Sequence, residues 1–208
     1  KGIVPYSLVA NYVPINSRII GPNQHESHFV FDVIYNNTSN ILPDMVTGDT
    51  HSVNQLNFFI LDVINISFVP SYKDIVGKST SIYCMKDPKQ YKGLITPAGQ
   101  IDIKLIQEQK ENMRLMLFSL IMQETIQSII VRKLSSHKRY GRLKKALWEY
   151  NKILSSIHLL NVIHDSTLRN HLKTARNRTE SYHQLQITIR KVHGGKFRGR
   201  TVIENEVW

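Results

Sequence analysis

The sequence predicts an α/β fold, a mixed sheet with packed helices, followed by a long helical and basic region. Segments with a two-residue apolar period alternate with segments of helical period through residues 1–70. From Ile101 onward the apolar period is helical throughout. Charge divides the chain similarly: residues 1–130 carry 10 Lys and Arg against 11 Asp and Glu, and residues 131–200 carry 17 against 3.

The amino-acid composition limits the classes of protein to which the chain can belong. Hydrophobic content of 41% and charged content of 21% are typical of a globular chain. The net charge of +11, concentrated in one half, indicates a polyanionic partner such as nucleic acid, although a basic surface kept for solubility is the alternative. The single cysteine, Cys84, is interpreted as a structural or surface thiol in a reducing, cytosolic setting. No apolar run or signal-peptide pattern predicts a membrane segment.

The first elements are predicted from the pattern of apolar residues. Val4 to Ala10 alternates apolar and other residues, which predicts a strand, and Val13 to Ile20 is its expected hairpin partner. Asn23 followed by Glu26 resembles a helix N-cap with its return partner. The apolar residues from Phe29 to Ile34 then predict a short amphipathic helix.

The central stretch runs from Met45 through a polar turn into a predicted helix. Ser52 is the expected N-cap, and the apolar residues from Val53 to Ile64 recur at helical spacing. Residues 66–69 predict a further strand, stopped by Pro70. Asp49 therefore follows a strand and precedes a helix, where ligands and catalytic groups collect in α/β proteins. The simpler interpretation is that Asp49 shapes a Gly-Asp turn.

The second half is predicted to be a linker followed by helices. Residues 72–99 have no clean period and are interpreted as a linker or irregular crossing. The predicted helical stripes that follow occupy residues 113–121, 126–134, 143–160, 168–175 and 182–192, with the last running to Gly194-Gly195. Glu180 is expected in the first turn of the last helix, where the helix dipole favours an acid, so capping is its alternative role.

Asp49 and Glu180 form a possible carboxylate pair on a chain expected to hold nucleic acid. Carboxylates bind Mg²⁺, and two such ions can clamp the attacking and leaving oxygens of a phosphodiester. A shared ion would require the two carboxyl groups to lie within ~4–8 Å of each other. Spacing alone cannot pair two residues so far apart in sequence.

A family resemblance adds what periodicity does not supply. Five segments, in order, resemble the catalytic domain of Tn-three family replicative transposases. They are Gly48–Phe58, Ser67–Ile75, Gln127–Ser136, Ala146–Tyr150 and Asn177–Leu185. The resemblance implies an RNase H-like fold with a DDE active site, interrupted by a helical insertion between the second and third acids.

The resemblance also assigns the acids. Asp49 matches the second catalytic aspartate and Glu180 the glutamate, whereas the first aspartate lies upstream, outside this chain. Asp32 is not its match, because Asp32 is expected in a helix. The family usually has Gly where Thr179 stands, which makes the local backbone here less permissive.

The resemblance implies three regions. They are an RNase H-like core without its first strand over residues 1–80, a linker plus basic helical insertion over 81–175, and a return to the core over 176–208. Lys1 is not a methionine, so the chain is interpreted as a truncated catalytic domain, expected to be inactive alone.

The expected activity is magnesium-dependent DNA cleavage and strand transfer in replicative transposition, with a two-metal site at Asp49 and Glu180. The expected partners are double-stranded DNA, meaning the transposon's terminal inverted repeats and target DNA, and a second copy of the full-length protein in a homodimer. A bacterial cytoplasmic, nucleoid-associated location is also implied. The basic residues expected to contact DNA phosphates are Arg132, Lys133, Lys138, Arg139, Arg142, Lys144 and Lys145.

Two rival functions stay open at this point. A DNA-binding remnant without chemistry would rest on the basic half alone. A metal or small-ligand site would use His25, His28, His51 and His183, although these histidines lack the spacing of zinc ligands.

Overall fold

The protein begins with a β-hairpin. A computed structural model describes residues 4–192, apart from the side chains of Arg190 and Val192, so the predicted helix end at Gly194-Gly195 lies outside the described residues. Strands β1 (Val4–Ala10) and β2 (Val13–Ile20) pair antiparallel, which confirms the predicted hairpin. Asn11 and Tyr12 both have positive φ, 48° and 74°, as a two-residue hairpin turn that follows the twist of its strands requires.

A short helix follows the hairpin. Helix α1 (Val30–Tyr35) is preceded by a 3-10 turn over Glu26–His28, and residues 30–34 of α1 are buried. The predicted cap at Asn23 is wrong, because the side chain of His25 accepts from the backbone N–H of Ser27. The imidazole therefore does for the 3-10 turn what an Asx side chain does for an α-helix.

A parallel strand pair carries the central stretch. Strand β3 (Met45–Val46) pairs with β4 (Ser67–Phe68), and helix α2 (Asn57–Val63) connects them. The predicted N-cap at Ser52 is wrong by four residues, because α2 begins at Asn57 with Leu56 at the N-cap position. A 3-10 turn over Thr50–Ser52 comes first, and Asn54 Oδ1 then accepts from the backbone N–H groups of residues 56 and 57.

The predicted linker contains regular structure. Helix α3 (Ile75–Ser79) is followed by strands β5 (Tyr83–Cys84) and β6 (Gly99–Gln100), which pair in parallel. Cys84 is a free, buried thiol, in agreement with a structural role. The described residues thus contain three two-stranded sheets, which confirms the α/β class without joining the strands into one sheet.

Four long helices complete the fold. They are α4 (Ile103–Ile121), α5 (Gln127–Ser136), α6 (Gly141–His164) and α7 (Ser166–Val192). The two helices predicted over residues 168–192 are one, because residues 177–179 contain neither glycine nor proline to interrupt α7. No helix among residues 4–192 is long and apolar enough to cross a membrane.

The core of the described residues consists of three apolar clusters. The largest joins α4 and α6 to α1, α2 and α5, with Ile60, Leu120 and Leu147 almost fully buried. A second cluster covers β3 and β4. The third joins Val69, just after β4, to Leu172 of α7, and so brings the last helix against the end of the parallel strands.

Candidate active site

Asp49 lies just beyond the parallel strand pair. The ladder continues past the strands, since the N–H of Ser71 donates to the carbonyl of Gly48 at 2.8 Å. Oδ1 of Asp49 then accepts from the backbone N–H of His51 at 2.9 Å and of Ser52 at 3.3 Å. Asp49 is exposed, and its Oδ2 accepts no hydrogen bond from any described residue. One oxygen is thus fixed by the backbone and the other is open to a ligand.

The turn that holds Asp49 is tightly packed from behind. Ser52 is 5% exposed, and its hydroxyl donates to the carbonyl of Asp49 at 2.7 Å. A Cβ on Gly48 would lie 2.2 Å from that hydroxyl oxygen and 2.7 Å from the Ser52 Cβ. Only glycine leaves room for this side chain, so Gly48 and Ser52 together set the path of the backbone at Asp49.

The surroundings of Asp49 combine acids with a basic groove. Burial, and then the charges of Glu26 and Asp49, raise the pKa of Tyr6 on β1 far above that of a free tyrosine. On its other side the site opens into a groove of about 460 Å³. The groove is lined by Thr50, His51, Tyr72, Lys73, Asp74, Gly77, Lys78 and Ser81.

Glu180 lies in the middle of α7, which corrects the prediction of a first-turn position. It is exposed, and its Oε1 accepts from Nε2 of Gln184 at 2.9 Å. Gln184 lies four residues further along the helix and therefore shares the face of Glu180. Capping is therefore excluded as the role of Glu180, because its helix begins at Ser166.

Helix α7 contacts the turn of the hairpin through a residue that lies two positions before Glu180. Two residues before Glu180, Arg178 donates to Oδ1 of Asn11 at 2.8 Å and lies over the ring of Tyr12. The sharing of one ion by the carboxyl groups of Asp49 and Glu180 stays a prediction.

Two further acids serve the fold. Asp32 lies in α1, as expected, and is 4% exposed, with Oδ1 accepting from the N–H of Gln127 and Oδ2 lying 3.5 Å from Arg18. Burial raises the pKa of Asp32, while that N–H and Arg18 oppose the rise. Asp74 caps α3 through the N–H of Gly77.

The carboxylate oxygens of Asp49 and Glu180 are suitable ligands for a hard cation such as Mg²⁺. Asp49 Oδ2 and Glu180 Oε2 accept no hydrogen bond from the described residues, and carboxylate oxygens are the ligands that Mg²⁺ prefers. Within residues 4–192, no three His, Cys, Asp or Glu side chains lie together in a way that could hold a metal. His25 and His28 have ring centroids 5.5 Å apart, and no histidine-based site forms in the described part.

The seven basic residues lie around the junction of α5 and α6. Six of them are exposed, and Lys144 is half-buried with its ammonium 5.0 Å from the ring centre of Trp148. Arg142 forms an ion pair with Glu108 of α4, and Arg139 lies over the ring of Tyr140. The four without such contacts among the described residues are Arg132, Lys133, Lys138 and Lys145.

Comparison with known families decides what kind of domain carries this site. The family described as Tn3 transposase DDE domain matches residues 1–208, the whole chain. The chain belongs to this family. Its sequence resemblance to Tn-three family transposases is thereby confirmed, and so are the transposase, DDE-domain and transposition assignments that followed from it.

Curated transposases are similar to this Tn3 transposase DDE domain along nearly all of it. The transposase for transposon Tn1546 of Enterococcus faecium is 25% identical over 97% of the chain, and the one for Tn4556 of Streptomyces fradiae is 23% identical over 88%. The transposase for Tn501 of Pseudomonas aeruginosa is 24% identical over 91%. The chain spans 19–20% of the length of these relatives. No solved structure matches it.

Sequence reasoning missed two features of this DDE domain. Lys73 and Lys78 line the groove beside Asp49, yet both lie in the segment interpreted as a linker. A signal was present, because residues that follow two parallel strands meet at one edge of a sheet, and Lys73 follows β4 closely. The buried side chain of Gln127, at 0% exposure, gave no such signal.

Proposed function

We propose that this domain is the metal-dependent catalytic centre of a replicative DNA transposase, with Asp49 and Glu180 as its acids. The observation that carries the proposal is the carboxylate of Asp49 at the end of β3. Two backbone N–H groups orient one of its oxygens, and the other is exposed beside a groove with two lysines. The whole-chain family match supports the assignment of both acids.

We infer the reaction from the family match, which the two acids support. A water oxygen attacks the phosphorus at the transposon end, the bond from phosphorus to the 3′ oxygen breaks, and that oxygen takes up a proton. The freed 3′-hydroxyl then gives up its proton and forms a bond to a target phosphorus. The bond from that phosphorus to its own 3′ oxygen breaks, and that oxygen takes up a proton. Asp49 and Glu180 would hold Mg²⁺, which would stabilise the negative charge that develops in these steps. Lys73 and Lys78, which line the groove, would offset the negative charge of the DNA phosphates next to the site.

DNA is the partner that the charge distribution fits. The seven basic residues at the α5–α6 junction would contact phosphates of the terminal inverted repeats or target duplex. We propose an RNase H-like core over 1–80, an insertion over 81–175 and a return over 176–208. A homodimer of the whole transposase would bring two transposon ends together.

A third carboxylate, by the family resemblance, comes from a strand upstream of Lys1. The 208 residues alone should therefore bind DNA weakly and cleave none, because two ions require more carboxylates than Asp49 and Glu180 provide. A DNA-binding remnant without chemistry is the second candidate, favoured by the four basic side chains that make no ion pair with described residues.

The test is a nicking assay on DNA carrying the element's ends, with Mg²⁺ or Mn²⁺. It compares the 208-residue chain with the whole transposase. In the whole protein, Asp49→Asn and Glu180→Gln should each lower the rate about 10³-fold or more at unchanged DNA affinity, because catalytic acids act as a unit. Asp44→Asn is the matched control, since Asp44 is an exposed acid beside β3 whose side chain forms no hydrogen bond or ion pair with a described residue.

Three outcomes would change the proposal. Nicking by Asp49→Asn at the rate of the unchanged protein would refute the assignment of the site. DNA binding by the unchanged whole protein without nicking would favour the remnant. Cleavage by the 208 residues that disappears in Asp49→Ala would show that an acid within the chain completes the set.

A further inference from the structure

A buried polar network lies behind the turn that carries Asp49. At its centre are the side-chain amides of Gln127, the first residue of α5, and Asn57, the first residue of α2, which are 0% and 1% exposed. Nε2 of Gln127 donates to Oδ1 of Asn57 and, at 3.1 Å, to the carbonyl of Ser27. Oε1 of Gln127 accepts from the N–H of Phe31 at 2.9 Å.

The network reaches the catalytic turn through Asn57. Its Nδ2 donates to the carbonyl of Ser52 at 2.7 Å and to that of Ser27 at 3.1 Å. Ser52 in turn binds Asp49 twice, because its hydroxyl donates to the Asp49 carbonyl and its N–H donates to Oδ1. Three successive hydrogen bonds therefore connect α5 to the carboxylate of Asp49. They run from Gln127 to Asn57, from Asn57 to Ser52 and from Ser52 to Asp49.

Burial of two amides needs an explanation. Each would cost about 1–3 kcal/mol of folding free energy if its groups lacked partners, whereas a leucine or methionine of similar size would pack without that cost. Every donor and acceptor of the two amides is used. A fully satisfied network of this kind specifies one geometry, since a shift of any member leaves another unpaired.

We propose that Gln127 and Asn57 are positioning residues for Asp49. They hold the Ser52 peptide, and through it the carboxylate, in a fixed place relative to the helix that presents Arg132 and Lys133. DNA bound at the exposed end of α5 is thereby kept in register with the acid. The link to catalysis rests on the proposed function, but the positional claim does not.

The first test uses amide hydrogen exchange and needs no activity. Gln127→Met removes the three side-chain hydrogen bonds of Gln127 at similar volume and leaves Oδ1 of Asn57 without its donor. Exchange at His51 and Ser52, whose N–H groups donate to Asp49, should rise about tenfold or more beyond the change at Leu147 in α6. Met113→Ala is the control, because it opens a cavity between α4 and α6 and destabilises the protein without touching the network.

Two results would overturn the proposal. Exchange at residues 51 and 52 that stays unchanged in Gln127→Met would show that the network does not hold the turn. An equal local rise in Met113→Ala would show that only global stability matters. If Gln127→Met fails to fold, Asn57→Ser provides the same test, since it removes the amide that donates to the Ser52 carbonyl.

The second test separates positioning from binding in the whole transposase. Gln127→Met should lower the nicking rate at saturating DNA about tenfold or more while the DNA dissociation constant stays the same, because misplacement of a reacting group affects rate rather than affinity. Met113→Ala should change neither. A changed DNA affinity with an unchanged saturated rate would contradict the proposal. Faster exchange in a protein that never nicks would refute the proposed function and leave the positional claim intact.

Discussion

The two halves of the molecule hold their functional side chains in opposite ways. Asp49, in the nearly neutral first half, is fixed by two backbone N–H groups and by a turn packed on buried Ser52. Glu180 and most of the basic residues, in the second half, extend from exposed helix surfaces. Among residues 4–192, the side chain of Glu180 has one hydrogen-bond partner, Gln184 of the same helix.

The difference separates two tasks. A carboxylate that is already oriented needs no reorganisation when charge develops next to it. Long exposed side chains must instead be ordered by their ligand, at about 0.5–1.5 kcal/mol each. We infer that the first half contributes geometry and the second contributes a positive field that adapts to the DNA. Substitutions in the first half should therefore affect stability, and those in the second should affect binding.

The largest loss of stability is expected from a substitution at Gly48. In Gly48→Ala the new Cβ would lie 2.2 Å from the Ser52 hydroxyl oxygen and 2.7 Å from its Cβ. Because Ser52 is buried and holds the Asp49 carbonyl, the backbone must move, and the free energy of unfolding should fall by about 1–3 kcal/mol. Denaturant unfolding, followed by circular dichroism, measures this loss.

Gly93→Ala is the matched control for this substitution. Nothing lies within 4 Å of the Cβ that it would add. Its free energy of unfolding should stay within about 0.5 kcal/mol of the unchanged protein. Equal stability of the two alanine variants would show that the turn at Asp49 is loosely packed, and the contrast between the halves would lose its basis.

Smaller losses of stability are expected when Asp49 or Glu180 is substituted, and these losses compare the two acids directly. Asp49→Ala removes the acceptor for two backbone N–H groups and should cost about 1 kcal/mol of stability. Asp49→Asn keeps a side-chain oxygen for those N–H groups, so it should cost a few tenths. Glu180→Ala, on an exposed helical face, should cost less than about 0.5 kcal/mol.

Thermal unfolding of the three variants under one set of conditions provides the measurement. A loss of stability in Glu180→Ala as large as that in Asp49→Ala would mean that Glu180 has structural partners. It would then be held as Asp49 is held, and the two halves would not differ in this respect.

Local patterns in the sequence predicted much of the first half correctly. The alternation of residues 4–10 and 13–20 reports a half-buried hairpin, and polar residues after a short strand identified the place of Asp49. The helix start was wrong because Asp49 and Asn54 each compete for backbone N–H groups, which delays the helix to Asn57. Short-range hydrogen bonds of this kind leave no periodic signal.

Long-range contacts account for what sequence patterns did not reveal. The side-chain amide of Gln127 is buried against Asn57, 70 residues away in sequence. The sequence of either helix alone therefore does not indicate that its polar side chain is buried and hydrogen-bonded. The fusion of the last two predicted helices has a different cause. Polar residues such as Asn177 weaken an apolar stripe but do not stop a helix, so α7 continues through them.

The smallest expected effect is a change in the salt dependence of DNA affinity. It compares two basic residues of the second half, Lys133 and Arg142. Lys133 is exposed and makes no ion pair with a described residue, whereas Arg142 is paired with Glu108. If Lys133 contacts a phosphate, Lys133→Gln should reduce the slope of log affinity against log salt by ~0.9. Arg142→Gln should reduce it less, because the guanidinium must leave Glu108 before it can reach DNA.

Fluorescence anisotropy of a labelled duplex between about 50 and 200 mM salt measures both slopes, and a change of ~0.9 corresponds to a three- to fourfold difference in affinity across that range. Glu108→Gln completes the set by freeing Arg142 from its partner. Affinity should then rise, and Arg142→Gln in that background should reduce the slope as much as Lys133→Gln does. Equal slopes for the two single variants in the unchanged background would mean that DNA displaces Glu108 without cost. Arg142 would then belong with the free side chains, because ion pairs at an exposed surface contribute little.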